Sequence, residues 1–118
     1  MERLKRRQDF AAAAKASYAA VPGMVVQARN REDGKPARVG FTTTKKLGNA
    51  VVRNRIRRRL RETARALLAQ KALTGYDYVL IGRVSSGERP YAMLLNDLDS
   101  ALRRLHGAPY RPLDKGKQ

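Results

Sequence analysis

Residues 49–71 can be buried on only one side. At 100° per residue, Val52, Ile56, Leu60, Thr63 and Leu67 fall within about 80° of one another. Arg53, Asn54, Arg57, Arg58, Arg61 and Arg65 all fall outside that arc, as do Arg55 and Arg59 on its other flank. A fold that contains this helix must cover the apolar stripe and leave the arginines open. From Lys45 to Arg65 there are nine basic residues and one acid, Glu62. Pairs such as Arg53 and Arg57, or Arg57 and Arg61, stand at i,i+4, where like charges destabilise a helix by a few tenths of a kcal/mol each, about the size of a favourable pair. A solvated face is the ordinary reading of a charge run. A run of almost one sign over five turns fits that reading poorly, because Glu62 alone is present to offset the repulsion. A polyanion would reverse it, since each phosphate neutralised releases condensed counterions.

The start of this helix adds to the case. Asn49 is a plausible N-cap, and Gly48 precedes it. Backbone N–H groups near Asn49 and Ala50, the positive end of the dipole, and Lys45 with Lys46 would favour an anion. Gly48 is equally readable as a flexible turn before the cap.

Composition supports the same class of partner. The 118 residues contain 26 Lys and Arg against 10 Asp and Glu, a formal charge of +16, in a length that fits one domain. Nucleic acid, an anionic membrane or an acidic protein could balance that charge. Arginine dominates the central segment, and its planar fork matches phosphate oxygens and stacks on bases, which favours nucleic acid. With no cysteine, disulfides and thiolate metal sites are excluded, which suits a reducing compartment. No apolar run approaches the roughly 20 residues of a membrane helix, so no membrane partner is expected. Lys15 and Tyr18 interrupt the Ala-rich start, against a secretory signal, and Glu2 and Asp9 count against a transit peptide. A cytoplasmic protein is expected.

Around the arginine helix the pattern predicts a first helix over residues 7–17, broken by Pro22-Gly23. Strands are predicted over 24–29 and 38–44, joined as a hairpin through a turn at 31–36 that contains Asp33-Gly34. A strand over 76–83 follows the long helix, and its Val79-Leu80-Ile81 run suggests burial on both faces. The last helix, 91–105, carries an apolar stripe of Leu94, Leu95, Leu98, Ala101, Leu102 and Leu105. The expected architecture is a two-layer α+β sandwich of three helices and a small mixed sheet, formed by residues 1–108, with a basic, flexible tail over 109–118. A parallel strand-helix-strand unit around the long helix would ordinarily be right-handed.

The run Lys45-Lys46-x-Gly48-Asn49-Ala50-Val51-x-Arg53-Asn54-Arg55-x-Arg57-Arg58-x-x-Arg61 resembles the Arg-Asn-Arg signature of the bacterial ribonuclease P protein family. Arg3-Leu4-Lys5 with Asp9-Phe10, Arg38-Val39-Gly40-Phe41, and Asp77-Tyr78-Val79-Leu80-Ile81 resemble the family's flanking segments in the same order. The resemblance implies a left-handed crossover in place of the usual hand. It implies that the signature helix binds the catalytic RNA subunit, one protein per RNA, with Lys46, Arg53, Arg55 and Arg58 leaning on that subunit; the residues expected to bind RNA of either kind are Lys45, Lys46, Asn49, Arg53, Asn54, Arg55, Arg57, Arg58, Arg61 and Arg65. It further implies a cleft for the 5′ leader of precursor tRNA, lined by Phe10, Thr42, Asn54, Arg57 and Arg61. Chemistry would belong to the RNA with magnesium, so the protein itself would hold no catalytic residue and no metal. Two positions depart from the family pattern: Ala14 and Gln27 stand where aromatics are common.

Other chemistry is thinly represented. His106 is the single histidine, placed where a helix dipole favours it, and cannot by itself supply a paired acid and base. Asp97 and Asp99 lie two apart, so a helix would not let them face one metal; Asp99 is expected to pair with Arg103 at i,i+4. The rival readings are a ribosomal protein or RNA chaperone, a DNA-binding protein with its arginine helix in the major groove, and a nuclease active without RNA. No dimer symmetry favours the DNA reading.

Overall fold

The computed structural model describes residues 1–113. Its elements are β1 (Glu2–Arg3), α1 (Arg7–Ala14), β2 (Ser17–Val21), β3 (Met24–Asn30), β4 (Arg38–Thr42), α2 (Ala50–Lys71), β5 (Tyr76–Gly82) and α3 (Tyr91–His106), with short 3-10 turns at Lys45–Leu47 and Val84–Gly87. The strands form one mixed sheet in the order β1-β4-β5-β3-β2. β4 and β5, the strands on either side of α2, run parallel; β3 runs antiparallel to both its neighbours, β2 and β5. The three helices and small mixed sheet are those expected from the sequence.

Strand alternation divides the core. Met24, Val26, Val39, Tyr78 and Leu80 point to the face covered by α2 and α3, where they meet Ile56, Leu60, Leu68, Leu94, Leu98 and Leu102. Val79 and Ile81 point to the other face and pack with Leu4, Phe10 and Ala13 beneath α1. The Val79-Leu80-Ile81 run is therefore apolar because both faces of β5 are covered, Val79 and Leu80 almost completely. Gly40 makes room for the smaller layer: a Cβ there would come within 2.6 Å of the Phe10 ring.

The predicted hairpin does not form. β5 lies between β3 and β4, antiparallel to the first and parallel to the second. Asp77 explains the insertion. Its register partners are Arg29 on β3 and Arg38 on β4, so one carboxylate sits between two guanidinium groups across three strands. Arg38 donates two hydrogen bonds of 2.8 Å to Asp77, and Arg31 donates one of 2.6 Å. The segment with Asp33-Gly34 is a loop around the start of β5. Arg31 N–H donates to the Gly75 carbonyl, Gly75 N–H to the Lys35 carbonyl, and the Arg31 side chain to the Tyr76 and Pro36 carbonyls.

Other boundaries also move. α1 ends at Ala14, and Ser17–Val21 is a strand where the first helix and its breaker were expected. Pro22-Gly23 becomes the two-residue loop of a β2–β3 hairpin, with Val21 opposite Met24. The edge strand β1 pairs with β4 over two residues, too short to show in sequence. The expected tail starts later than residue 109. Tyr110 is buried; its hydroxyl donates to Asp99 at 2.7 Å, and Leu113 N–H donates to the same oxygen at 3.0 Å. Asp99 is thus taken by the C-terminal segment and not by Arg103. The rest of the predicted tail, 114–118, lies outside the described residues.

Candidate nucleic-acid interface

α2 begins as its sequence predicts. Asn49 Oδ1 accepts from Val52 N–H at 3.0 Å. Gly48 sits at φ 140°, a backbone state open to glycine, and a Cβ there would press on Val52 at 3.0 Å. Ile56, Leu60, Thr63, Ala64, Leu67 and Leu68 form the buried side. Thr63 is accommodated because its hydroxyl donates to the Arg59 carbonyl at 2.8 Å. Val52, expected in the stripe, is 38% exposed, because the first turn runs past the core.

The outward side holds the charge. Among the described residues no α2 arginine is in an ion pair; the salt bridges involve Arg29, Arg31, Arg38 and Arg89 instead. Arg58 and Arg65 are exposed. Arg57 donates to Asn54 Oδ1 at 3.1 Å and to Thr43 Oγ1 at 2.5 Å, which ties it to the end of β4. The Nε atoms of Arg53 and Arg61 are shielded from solvent without a protein acceptor. Lys45, Lys46 and Asn49 are exposed at the helix start. This side of α2 offers guanidinium donors with no internal anion to satisfy them.

Arg55 stands apart. Its Nε and Nη2 donate to the Gly87 carbonyl at 3.2 and 3.1 Å, and neighbouring Arg59 donates to the Arg89 carbonyl. Both tether α2 to the segment before α3. Sequence could not show this, because the acceptors are backbone carbonyls about 30 residues away.

The residues expected in a leader cleft fall into separate places. Phe10 and Thr42 lie on the α1 side of the sheet, with Thr42 two residues beyond Gly40 on β4. Asn54 and Arg57 meet at the end of β4 through Thr43, a residue the sequence reading passed over. Arg61 lies farther along α2, over a groove on the opposite side of the sheet from Phe10. The face beyond α1 also carries Tyr18 on β2, 69% exposed and directly opposite Gln27. Tyr18 was hidden because Ser-Tyr-Ala-Ala-Val is a weak strand signal beside an Ala-rich helix. Ala14 is exposed at the end of α1.

The carboxylates serve structure. Burial would raise the Asp77 carboxyl, but hydrogen bonds from Arg38 and Arg31 outweigh it and hold it below the ordinary range. Asp33, hydrogen-bonded by Arg31 and by Lys35 N–H, is lowered to about 2. Asp97 accepts from Arg89 at 2.5 Å. His106 Nε2 lies 2.8 Å from the Tyr78 hydroxyl, and burial lowers its pKa.

The fold and this surface define a small, basic α+β domain with an arginine-faced helix. The family model described as Ribonuclease P matches residues 1–106. The ribonuclease P protein component of Ruegeria pomeroyi is 53% identical over 106 residues, covering 87% of this chain and 85% of the relative. That of Gluconacetobacter diazotrophicus is 50% identical over 103 residues, covering 86% and 89%. Among solved structures, the RNase P protein of Staphylococcus aureus superposes with a TM-score of 0.74 at 28% identity, over 90% of this chain and 96% of that one. The Thermotoga maritima RNase P protein gives 0.73 at 26%, over 91% and 100%. The chain belongs to the ribonuclease P protein family.

Proposed function

We propose that the chain acts in tRNA processing as the protein component of ribonuclease P, binding the catalytic RNA subunit and the 5′ leader of precursor tRNA and promoting leader removal. The observation that carries this is the outer side of α2, where Arg53, Arg57, Arg58, Arg61 and Arg65 share one surface without an ion-paired acid. Phosphates supply the missing anions. Lys45, Lys46 and the free N–H groups at the start of α2 extend the surface. The α1 side of the sheet suits an extended single strand: Phe10 and Tyr18 offer ring faces, and Thr42 and Gln27 offer hydrogen bonds.

In this reading the hydrolysis belongs to the RNA, with magnesium bound mainly there. Among the described residues no three His, Asp or Glu side chains gather as a cation site, so no residue of this chain is assigned to hold the ion. The chain's part is to bind and orient.

The test is cleavage of a precursor tRNA at low magnesium by the protein alone, a bacterial ribonuclease P RNA alone, and both together. Cleavage at the mature 5′ end only in the mixture, or much faster there, is expected. Tight RNA binding without stimulation would instead favour a ribosomal or chaperone role. Phe10→Ala and Tyr18→Ala should each weaken binding of long-leader substrate about tenfold while leaving affinity for the RNA subunit intact. Unchanged leader affinity in both would remove the cleft role.

A further inference from the structure

Between α2 and the β1–β4 edge lies a groove of about 180 Å³, on the side of the sheet away from Phe10. Its apolar part includes Phe41, Ala64 and Ala69, and Arg3, Arg61 and Arg65 also line it. No carboxylate lines it. The Arg3 guanidinium lies 5.6 Å from the centroid of the Phe41 ring, so a flat cation already rests on the aromatic wall. Arg61 brings a shielded Nε with no protein acceptor. Three guanidinium groups held together without an acid call for an anion; an aromatic wall calls for a flat, weakly polar group. A nucleotide combines both. A base within a duplex has its faces stacked and cannot enter, whereas an unpaired one can.

We infer that this groove receives a single unpaired nucleotide of the RNA that α2 binds, with its base taking the place of the Arg3 guanidinium over Phe41 and its flanking phosphates on Arg61 and Arg65. The inference rests on the RNA-binding role proposed above. It makes the arginine side of α2 more than a charged surface: its C-terminal half selects a bulged or extruded position, and the remaining arginines grip backbone.

Ala69 permits a direct test, because it is exposed and lines the groove without belonging to the core. Ala69→Phe fills the space and leaves the charge unchanged. Its affinity for a bacterial ribonuclease P RNA should fall about tenfold at matched salt, with the slope of log K against log salt unchanged. Arg61→Gln should reduce that slope by about one. The chain has no cysteine, so a benzophenone attached through Ala69→Cys reports on this groove alone, and its crosslink should map to a nucleotide unpaired in the RNA. Wild-type affinity in Ala69→Phe, or a crosslink only to paired nucleotides, overturns the inference while the RNA-binding reading stands. If the unmodified protein does not bind the RNA, the parent reading fails first.

Discussion

Asp77 shows how one side chain decides strand order. It is fully buried and faces Arg29 and Arg38 in register, and a slip of one residue would turn it into the layer of Tyr78 and Leu80. Asp77→Asn leaves guanidinium groups facing one another with a neutral amide between them. It should lower unfolding stability by about 3 kcal/mol, measured by urea titration, since removing one partner of a buried pair is far worse than never having the pair. His106 is the second residue with a defined consequence. The Tyr78 hydroxyl oxygen accepts from Leu73 N–H at 2.9 Å and lies 2.8 Å from His106 Nε2, which holds the ring in the interior. Burial lowers the His106 pKa from the ordinary 6.5. As pH falls through that value, the unfolded chain takes up a proton that the folded one refuses. The stabilisation is complete above about pH 6.5 and is lost progressively below it, until the folded-state value is passed. The urea midpoint should therefore drop between about pH 7.5 and about pH 5, and His106→Gln should flatten that part of the profile. An equal slope in the variant would assign the loss to other groups.

At the scale of the element, α2 separates arginines by what they hold. Arg55 is anchored to the Gly87 carbonyl, while Arg58 is exposed, with no protein hydrogen bond among the described residues. Arg58→Ala should leave stability unchanged within about 0.5 kcal/mol and reduce the salt slope of RNA binding by about one. Arg55→Ala should lower the melting temperature and loosen the segment before α3, so that part of any binding defect follows from folding. Thermal melts of the two variants beside their binding isotherms distinguish the cases. The C-terminal segment is the other element with a clear dependence. Tyr110→Phe removes the hydroxyl that donates to Asp99, whose second oxygen is already buried without a partner. A loss of about 1 kcal/mol is expected, with faster proteolysis after residue 106.

The whole molecule keeps its two kinds of charge apart. Arg29, Arg31 and Arg38 pair with Asp77 on β5, Asp9 on α1 and Asp33 in the loop, while Arg53, Arg57, Arg58, Arg61 and Arg65 of α2 have no ion-paired acid among the described residues. If the five outer arginines of α2 each take one phosphate, log K for RNA should fall with log salt at a slope of about 3.5 to 4.5. A slope near zero would mean that the surface is not the contact. Much of this organisation was legible in the residues. The stripe of Ile56, Leu60 and Leu67 against the arginines could be read because helical period and burial are local properties. The α3 stripe and the Asn49 cap were legible for the same reason, and the order of signature segments pointed to the family. Three things were not local. β5 inserts between β3 and β4 because Asp77 meets partners 48 and 39 residues away. Tyr18 reaches the open face because a weak strand pairs with β3. The groove under Arg61 exists because β1 and β4 pass beside α2. The sequence by itself determined which side of each helix is buried and that the chain carries an unbalanced cationic surface, since side-chain chemistry and period require nothing distant. Only the tertiary structure decided which arginines are free, because that depends on which acids and carbonyls the folded chain brings within hydrogen-bond reach.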